Sequence, residues 1–291
     1  MNDLVPPNRL FSPAREEAAV ANQPTPVPQT EHPAYRLAFQ DMDFLLREDL
    51  RPVRFQLELL KPELLLDEAK IASTFVIYGS ARIPHPDQAD SLVATAATDR
   101  QRRVAESLKA KSKYYEVARE LARLASRQGN DAEGRRHFVV CSGGGPSIME
   151  AANRGANDEG AESIGLNIVL PHEQMPNAYV TPSLSFQFHY FALRKMHFLL
   201  RARAVAIFPG GFGTFDESFE LLTLVQTGKV APLPILFYGK EFWKRVVDFG
   251  ALVEEGVISE QDLDLFKFVD TAEEGWAHVS AWWEKNGGGG R

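Results

Sequence analysis

Apolar residues along this chain gather into short β-branched runs separated by longer amphipathic stretches. The runs are TFVIYG (74–79), HFVVCSGGG (137–145), SIGLNIVL (163–170), RAVAIFPGG (203–211) and LPILFYG (233–239). Between them SKYYEVARELARLASRQG (112–129), SIMEAANRGANDEG (147–160) and FDESFELLTLVQTGK (215–229) place apolar side chains at helical spacing. Uniformly apolar strands alternating with amphipathic helices predict an α/β fold, a doubly wound parallel sheet with helices on both faces. Residues 35–70 carry Phe44, Leu45, Leu57, Leu60 and Leu64 near helical spacing, interrupted at Pro52 and Pro62. They predict two or three short extra N-terminal helices.

The ends differ from this pattern. Residues 1–34 hold seven of the eighteen prolines and little apolar content, which predicts a disordered arm. The residues 286–291, NGGGGR, predict a flexible tail. One domain is expected over 35–285, with 35–70 as its helical extension. A net charge of −7 without a basic block argues against nucleic acid as a partner. The single cysteine, Cys141, excludes a disulfide framework within the chain. No run approaches the ~18 apolar residues of a membrane span, and the N-terminus has no apolar leader. A cytoplasmic protein with no membrane partner is expected.

Nearly every predicted strand ends in glycine or proline, and open α/β sheets bind ligands at the carboxyl ends of their strands. Three such ends stand out: YGSAR (78–82), CSGGGPSIME (141–150) and FPGGFGTFDE (208–217). Glycine lets backbone approach a ligand closely, and free N–H groups at a helix start attract an anion. Two of these loops on one sheet would form a composite phosphate cradle. A dinucleotide fingerprint aligned on Gly211 and Gly213 would need glycine at 216, where Asp216 stands, and no lysine supplies a P-loop. The acids after the third loop admit two roles. Thr214-x-x-Glu217 and Ser147-x-x-Glu150 both fit a capping box, and carboxylates in a first turn complement the helix dipole. Alternatively Glu217 acts on whatever carries the phosphate. In FHYFALRKMHFLLRARA (188–204), Arg194 and Lys195 interrupt an apolar face. They either snorkel from a half-buried helix or, for Arg194, enter the site. His189, His197 and Cys141 have no partners at catalytic or metal-ligand spacing, and no metal site is expected.

GSAR at 79–82, SGGGPSIMEAANRGA at 142–156, GLNIVLPHEQMPNAYV at 165–180, and the RK pair followed by PGGFGTFDE at 209–217 resemble the LOG family, once labelled "lysine decarboxylase-like". The similarity covers about Phe75 to Phe268. The family pattern PGGxGTxxE is met by Pro209, Gly210, Gly211, Gly213, Thr214 and Glu217, and its arginine by Arg194. The resemblance implies a Rossmann-like fold and hydrolysis of the N-glycosidic bond of a nucleoside 5′-monophosphate, AMP or a cytokinin riboside 5′-monophosphate. The products are a free base and ribose 5-phosphate. By the same resemblance Glu217 and Arg194 are catalytic. Gly210, Gly211, Gly213 and Thr214, with Gly143, Gly144, Gly145 and Ser80, hold phosphate and ribose. It implies no cofactor, since the motif offers no lysine for pyridoxal phosphate, and a homodimer or dimer-based homo-oligomer. The N-terminal helices and the segment around 87–113 exceed the short family form and point to a longer bacterial subtype, while FHYFAL replaces a more polar segment before the RK pair. Molybdenum-cofactor carriers look similar in fold and glycine loops, so a non-catalytic nucleotide or cofactor carrier is the alternative.

Overall fold

A computed structural model describes residues 12–171 and 175–286. The outermost parts of the predicted arm and tail, and residues 172–174 of the third family motif, lie outside the described residues. The chain divides into two compact units, one ending at Glu58 and one beginning at Leu59.

The first unit is built from short elements. Residues expected to lack structure include the helix Ala14–Ala21. Its AREEAAVA sequence is rich in alanine, the best helix former, and has Glu16 and Glu17 in the first turn. The helix Met42–Leu45 is capped by Asp41, whose carboxylate accepts from the N–H groups of Asp43 and Phe44. The longer helix Arg51–Glu68, whose residues are divided between the two units, runs unbroken where interruptions at Pro52 and Pro62 were expected. Pro52 lies in the first turn, where an N–H would have no intrahelical partner. Pro62 removes one hydrogen bond from eighteen residues of helix, and its ring is buried.

The second unit holds one parallel sheet of seven strands. These are β1 (Thr74–Tyr78), β2 (Val139–Ser142), β3 (Ile164–Ile168), β4 (Ser185–Phe188), β5 (Ala202–Ile207), β6 (Ile235–Tyr238) and β7 (Lys267–Val269). Their order is β4-β3-β2-β1-β5-β6-β7. Beginning at the centre, the chain builds outward to β4 and returns to the other side of β1 as β5. This is the doubly wound arrangement, and its switch point lies between β1 and β5. Val76 of β1 pairs with Cys141 on one side and Val205 on the other.

Alternation along each strand serves two cores. Phe75 and Ile77 pack with Ala204, Ala206 and Tyr238 against the helices Lys113–Ser126, Ile148–Asp158 and Ala272–Asn286. Val76 and Tyr78 pack with Val205, Ile207 and Phe237 against the opposite layer, which contributes Phe198, Leu221, Val225 and Trp243. With both faces covered, each strand must be apolar throughout, which is why the runs read as continuous. The segment after the first glycine loop forms two helices, Pro86–Ala94 and Asp99–Lys109. Among the described residues no helix is long and apolar enough to cross a membrane.

Candidate active site

The three glycine loops follow β1, β2 and β5, the strands on either side of the switch point, so topology alone brings their carboxyl ends together. The N–H of Ser80 donates to the carbonyl of Pro209 at 3.1 Å, tying the first loop to the third. The loops border a cavity of about 720 Å3.

The third loop becomes a helix three residues earlier than its apolar pattern suggests. The helix is Phe212–Gln226, Gly211 is its cap, and no side chain satisfies its first N–H groups. Gly213 and Thr214 therefore lie within the first turn, whose N–H groups have no intrahelical acceptor, an arrangement chemically suited to an anion. Thr214 is too far into the helix to cap it, so the capping box with Glu217 does not form. Nor does the one at Ser147, whose hydroxyl donates to the Ile83 carbonyl, while Glu150 accepts from the Tyr115 hydroxyl at 2.7 Å. Glu150 joins two helices and does not border the cavity.

The two acids of the motif part company. Asp216 is exposed, and Lys195 pairs with it at 3.2 Å and with half-buried Glu220 at 3.2 Å. Glu217, one turn behind Gly213 on the same helix face, borders the cavity with its side chain 13% exposed. Burial pushes its carboxyl up to about 7; Arg194 and Lys195 pull the other way, while Asp216 and Glu220 add to the rise.

Arg194 comes from the helix Phe191–Leu200. Its Nη1 lies 3.6 Å from Glu217 Oε1, an electrostatic contact longer than a hydrogen bond. Its Nε donates to the Leu166 carbonyl at 2.6 Å, and the guanidinium lies over the Phe198 ring, 5.2 Å from its centroid. Gly143 makes room for it, since a Cβ there would stand 2.6 Å from Nη2 and 2.7 Å from Met149 Sδ. A buried amide network holds this second loop in place. Ser142 donates to Asn153 Oδ1 at 2.7 Å, and Asn177 Nδ2 lies within 2.9–3.1 Å of Asn153 Oδ1 and the Gly144 and Gly145 carbonyls.

Of the residues singled out from sequence, Ser80, Gly143, Gly145, Arg194, Gly211, Gly213, Thr214 and Glu217 border the cavity, whereas Gly144 and Gly210 do not. Both of those are glycines for packing. A side chain at Gly210 would overlap Thr214, and one at Gly144 (φ +72°) would overlap the amide of Asn167. Sequence reasoning missed Arg82 and Asn167, as well as an apolar wall of Met149, Ile168, Leu170, Met175 and Phe191. Arg82 ends the GSAR motif and Asn167 interrupts an apolar strand, and those were the available signals. His197 packs against Phe188 and Cys141 is buried, its thiol pushed up by desolvation. Among the described residues no cluster of His, Cys, Asp and Glu could hold a metal ion.

Fold and site together define a Rossmann-like α/β protein with a helix start left without a side-chain cap at the cavity and a buried carboxylate–guanidinium pair one turn behind it. The family described as "Possible lysine decarboxylase" matches residues 149–279. The cytokinin riboside 5′-monophosphate phosphoribohydrolase LOG3 of Arabidopsis thaliana is 26% identical over 171 residues, 56% of this chain and 73% of that protein. Among solved structures, the molybdenum cofactor carrier protein of Chlamydomonas reinhardtii is 16% identical, with a TM-score of 0.43, over 73% of this chain and 98% of its own. The molybdenum cofactor binding protein of Rippkaea orientalis is 15% identical, with a TM-score of 0.40, over 72% and 97%. Over part of its length the chain is thus similar to a LOG phosphoribohydrolase and to the family of that description.

Proposed function

We propose that this protein hydrolyses the N-glycosidic bond of a nucleoside 5′-monophosphate, releasing the base and ribose 5-phosphate. The observation that carries this reading is the Glu217–Arg194 pair, buried beside an uncapped helix start in one cavity. The 5′-phosphate sits on the N–H groups of Gly213 and Thr214. Glu217 is four residues further along, a rise of about 6 Å, which suits a ribose attached to that phosphate. Cleavage of the C1′–N bond sends its electron pair to the base, which takes up a proton, and leaves an oxocarbenium-like sugar. The Glu217 carboxylate stabilises that cation and accepts a proton from the water that adds to C1′. Arg194 orients the carboxylate. The phosphate, remote from the breaking bond, supplies position. The apolar wall around Leu170, Met175 and Phe191 suits a base. No lysine borders the cavity among the described residues, which favours this reading over a decarboxylase using a lysine-bound cofactor.

The test is incubation with AMP, CMP, GMP, IMP and an N6-prenylated AMP, with base and ribose 5-phosphate followed by chromatography. Base release that Glu217→Ala abolishes is the expected result. Folded protein that binds AMP and releases nothing from any nucleotide would replace this reading with a carrier.

Gly213 provides a second check. Nothing lies within 4 Å of where its Cβ would stand, and its φ is not positive, so the fold makes no demand for glycine there. Gly213→Ala should melt at the wild-type temperature or slightly above, because alanine is the better helix former. AMP binding, read by calorimetry, should weaken about tenfold as the methyl group displaces phosphate from its N–H donors. Unchanged affinity would move the phosphate elsewhere.

A further inference from the structure

Three asparagines surround the second glycine loop, and two of them are satisfied within the protein. Asn153 donates to the Ser163 hydroxyl at 3.0 Å and the Ile164 carbonyl at 3.3 Å, and its Oδ1 accepts from Ser142 and Asn177. Asn177 donates to the loop carbonyls, and its Oδ1 accepts from the Tyr179 N–H at 3.1 Å. The third, Asn167, has one side-chain hydrogen bond among the described residues, a long one from Nδ2 to the Phe186 carbonyl at 3.3 Å. A primary amide offers two donors and two acceptor lone pairs. Among the described residues Asn167 therefore keeps its carbonyl oxygen and one N–H unused, and it borders the cavity.

Its position is an unusual one for such a group. β3 lies between β2 and β4, where asparagine is disfavoured and neighbouring positions are Ile164, Leu166 and Ile168. The amide lies against Gly144, where both its terminal atoms would stand 2.7 Å from a Cβ, so the missing side chain at this positive-φ position creates the space it occupies. The preceding residue, Leu166, accepts the hydrogen bond that docks Arg194. One short stretch of strand thus sets both the guanidinium and the open amide at the same cavity.

We infer that Asn167 binds a ribose hydroxyl of the substrate and makes the site selective for ribonucleotides over deoxyribonucleotides. This rests on the phosphoribohydrolase reading above. A hydroxyl both donates and accepts, and so does the unused part of the amide. In glycosidic cleavage, hydrogen bonds to the 2-hydroxyl strengthen as the sugar becomes cationic, so the contact contributes to turnover as well as to binding.

The experiment compares kcat/KM for AMP, 2′-deoxyAMP and 3′-deoxyAMP in the wild type, Asn167→Ala and Asn167→Ser. Wild type is expected to favour AMP over one deoxynucleotide by about tenfold to a hundredfold, the range for loss of a hydrogen bond in a closed site. Asn167→Ala should lose that factor on AMP and little on the deoxynucleotide, so the ratio falls toward one, while Asn167→Ser retains part of it. If Asn167 only supports the Gly144 turn, all three substrates fall together and the ratio stays at the wild-type value, which overturns the inference. Should the wild type release no base at all, the hydrolase reading fails on its own, and the same comparison is made by calorimetric binding. Discrimination that Asn167→Ala abolishes would then sustain the hydroxyl contact, and equal discrimination in both proteins would overturn it.

Discussion

Glu217→Gln is expected to reduce kcat by roughly a thousandfold, the range for a positioned acid or base, and at the same time to stabilise the fold at alkaline pH. The two effects share one cause. Burial raises the carboxyl to about 7, against an ordinary value of 4.5. Below 4.5 the group is neutral in both folded and unfolded chains and contributes no penalty. Between 4.5 and 7 the folded chain holds the proton more tightly, so stability falls as pH rises. Above 7 the penalty is constant, at most about 3 kcal/mol for a shift of this size. Glutamine does not titrate. The difference in melting temperature between Glu217→Gln and wild type should therefore be smallest near pH 4.5, grow through neutrality and level off above pH 7. Loss of the electrostatic contact with Arg194, 3.6 Å away, offsets part of the gain. A carboxylate kept for structure would behave otherwise, with the variant destabilised and the difference failing to rise with pH. Retained base release would remove Glu217 from the chemistry.

The wild-type rate carries the same titration. A carboxylate that stabilises a cation or accepts a proton must be ionised, so kcat/KM should rise with pH up to a shoulder near 7. A fall through the same range would assign Glu217 the opposite role, as the acid that protonates the base.

Much of this fold was legible because buried parallel strands have no polar face to break their runs. β1, β2, β3, β5 and β6 all lie inside apolar stretches that could be quoted from the chain. β4, with Gln187 exposed, and β7, only three residues with Lys267 exposed, lack that signature because they are at the sheet edges. The start of the helix Phe212–Gln226 was misplaced for a physical reason. Gly211 and Gly213 conceal the first turn from any pattern of side chains, while the N–H groups without a side-chain cap at the cavity belong to that turn. Motif spacing located the loops but could not separate glycines that face the cavity from those that pack. Gly210 lies against Thr214 and Gly144 against Asn167, contacts that exist only once the strand end and helix are in register. Asn167, Met175 and Phe191 reach the cavity from β3, the chain after it and the helix after β4, and no local pattern announces them. The capping-box spacing left Glu217 with two roles, and only the observed helix start, with Gly211 as cap, removes one of them.

Arg194→Ala is expected to be the other severe lesion, with kcat/KM down by about a hundredfold to a thousandfold, the scale for removing one preorganised donor. The side chain is held by the Leu166 carbonyl, the Phe198 ring and the space above Gly143, an unusual degree of fixation for a long flexible group. That fixation points to a defined electrostatic task, and pH identifies it. Arg194 holds the Glu217 carboxyl below the value that burial alone would impose. Without it the carboxyl titrates at higher pH, so the rising limb of the kcat/KM profile should move to the alkaline side, and activity should recover in part there. If Arg194 only contacted the phosphate, KM would rise and the limb would stay in place. Arg194→Lys should not rescue the rate, because an ammonium lacks the planar fork that bonds to Leu166 and reaches Glu217 together. Gly143→Ala tests the same arrangement without touching a charge. Its methyl group would displace the guanidinium it now accommodates at 2.6 Å, and the pH profile should shift in the same direction as in Arg194→Ala. A Gly143→Ala protein with unaltered profile would mean that the position of the guanidinium, as distinct from its presence, is immaterial to Glu217.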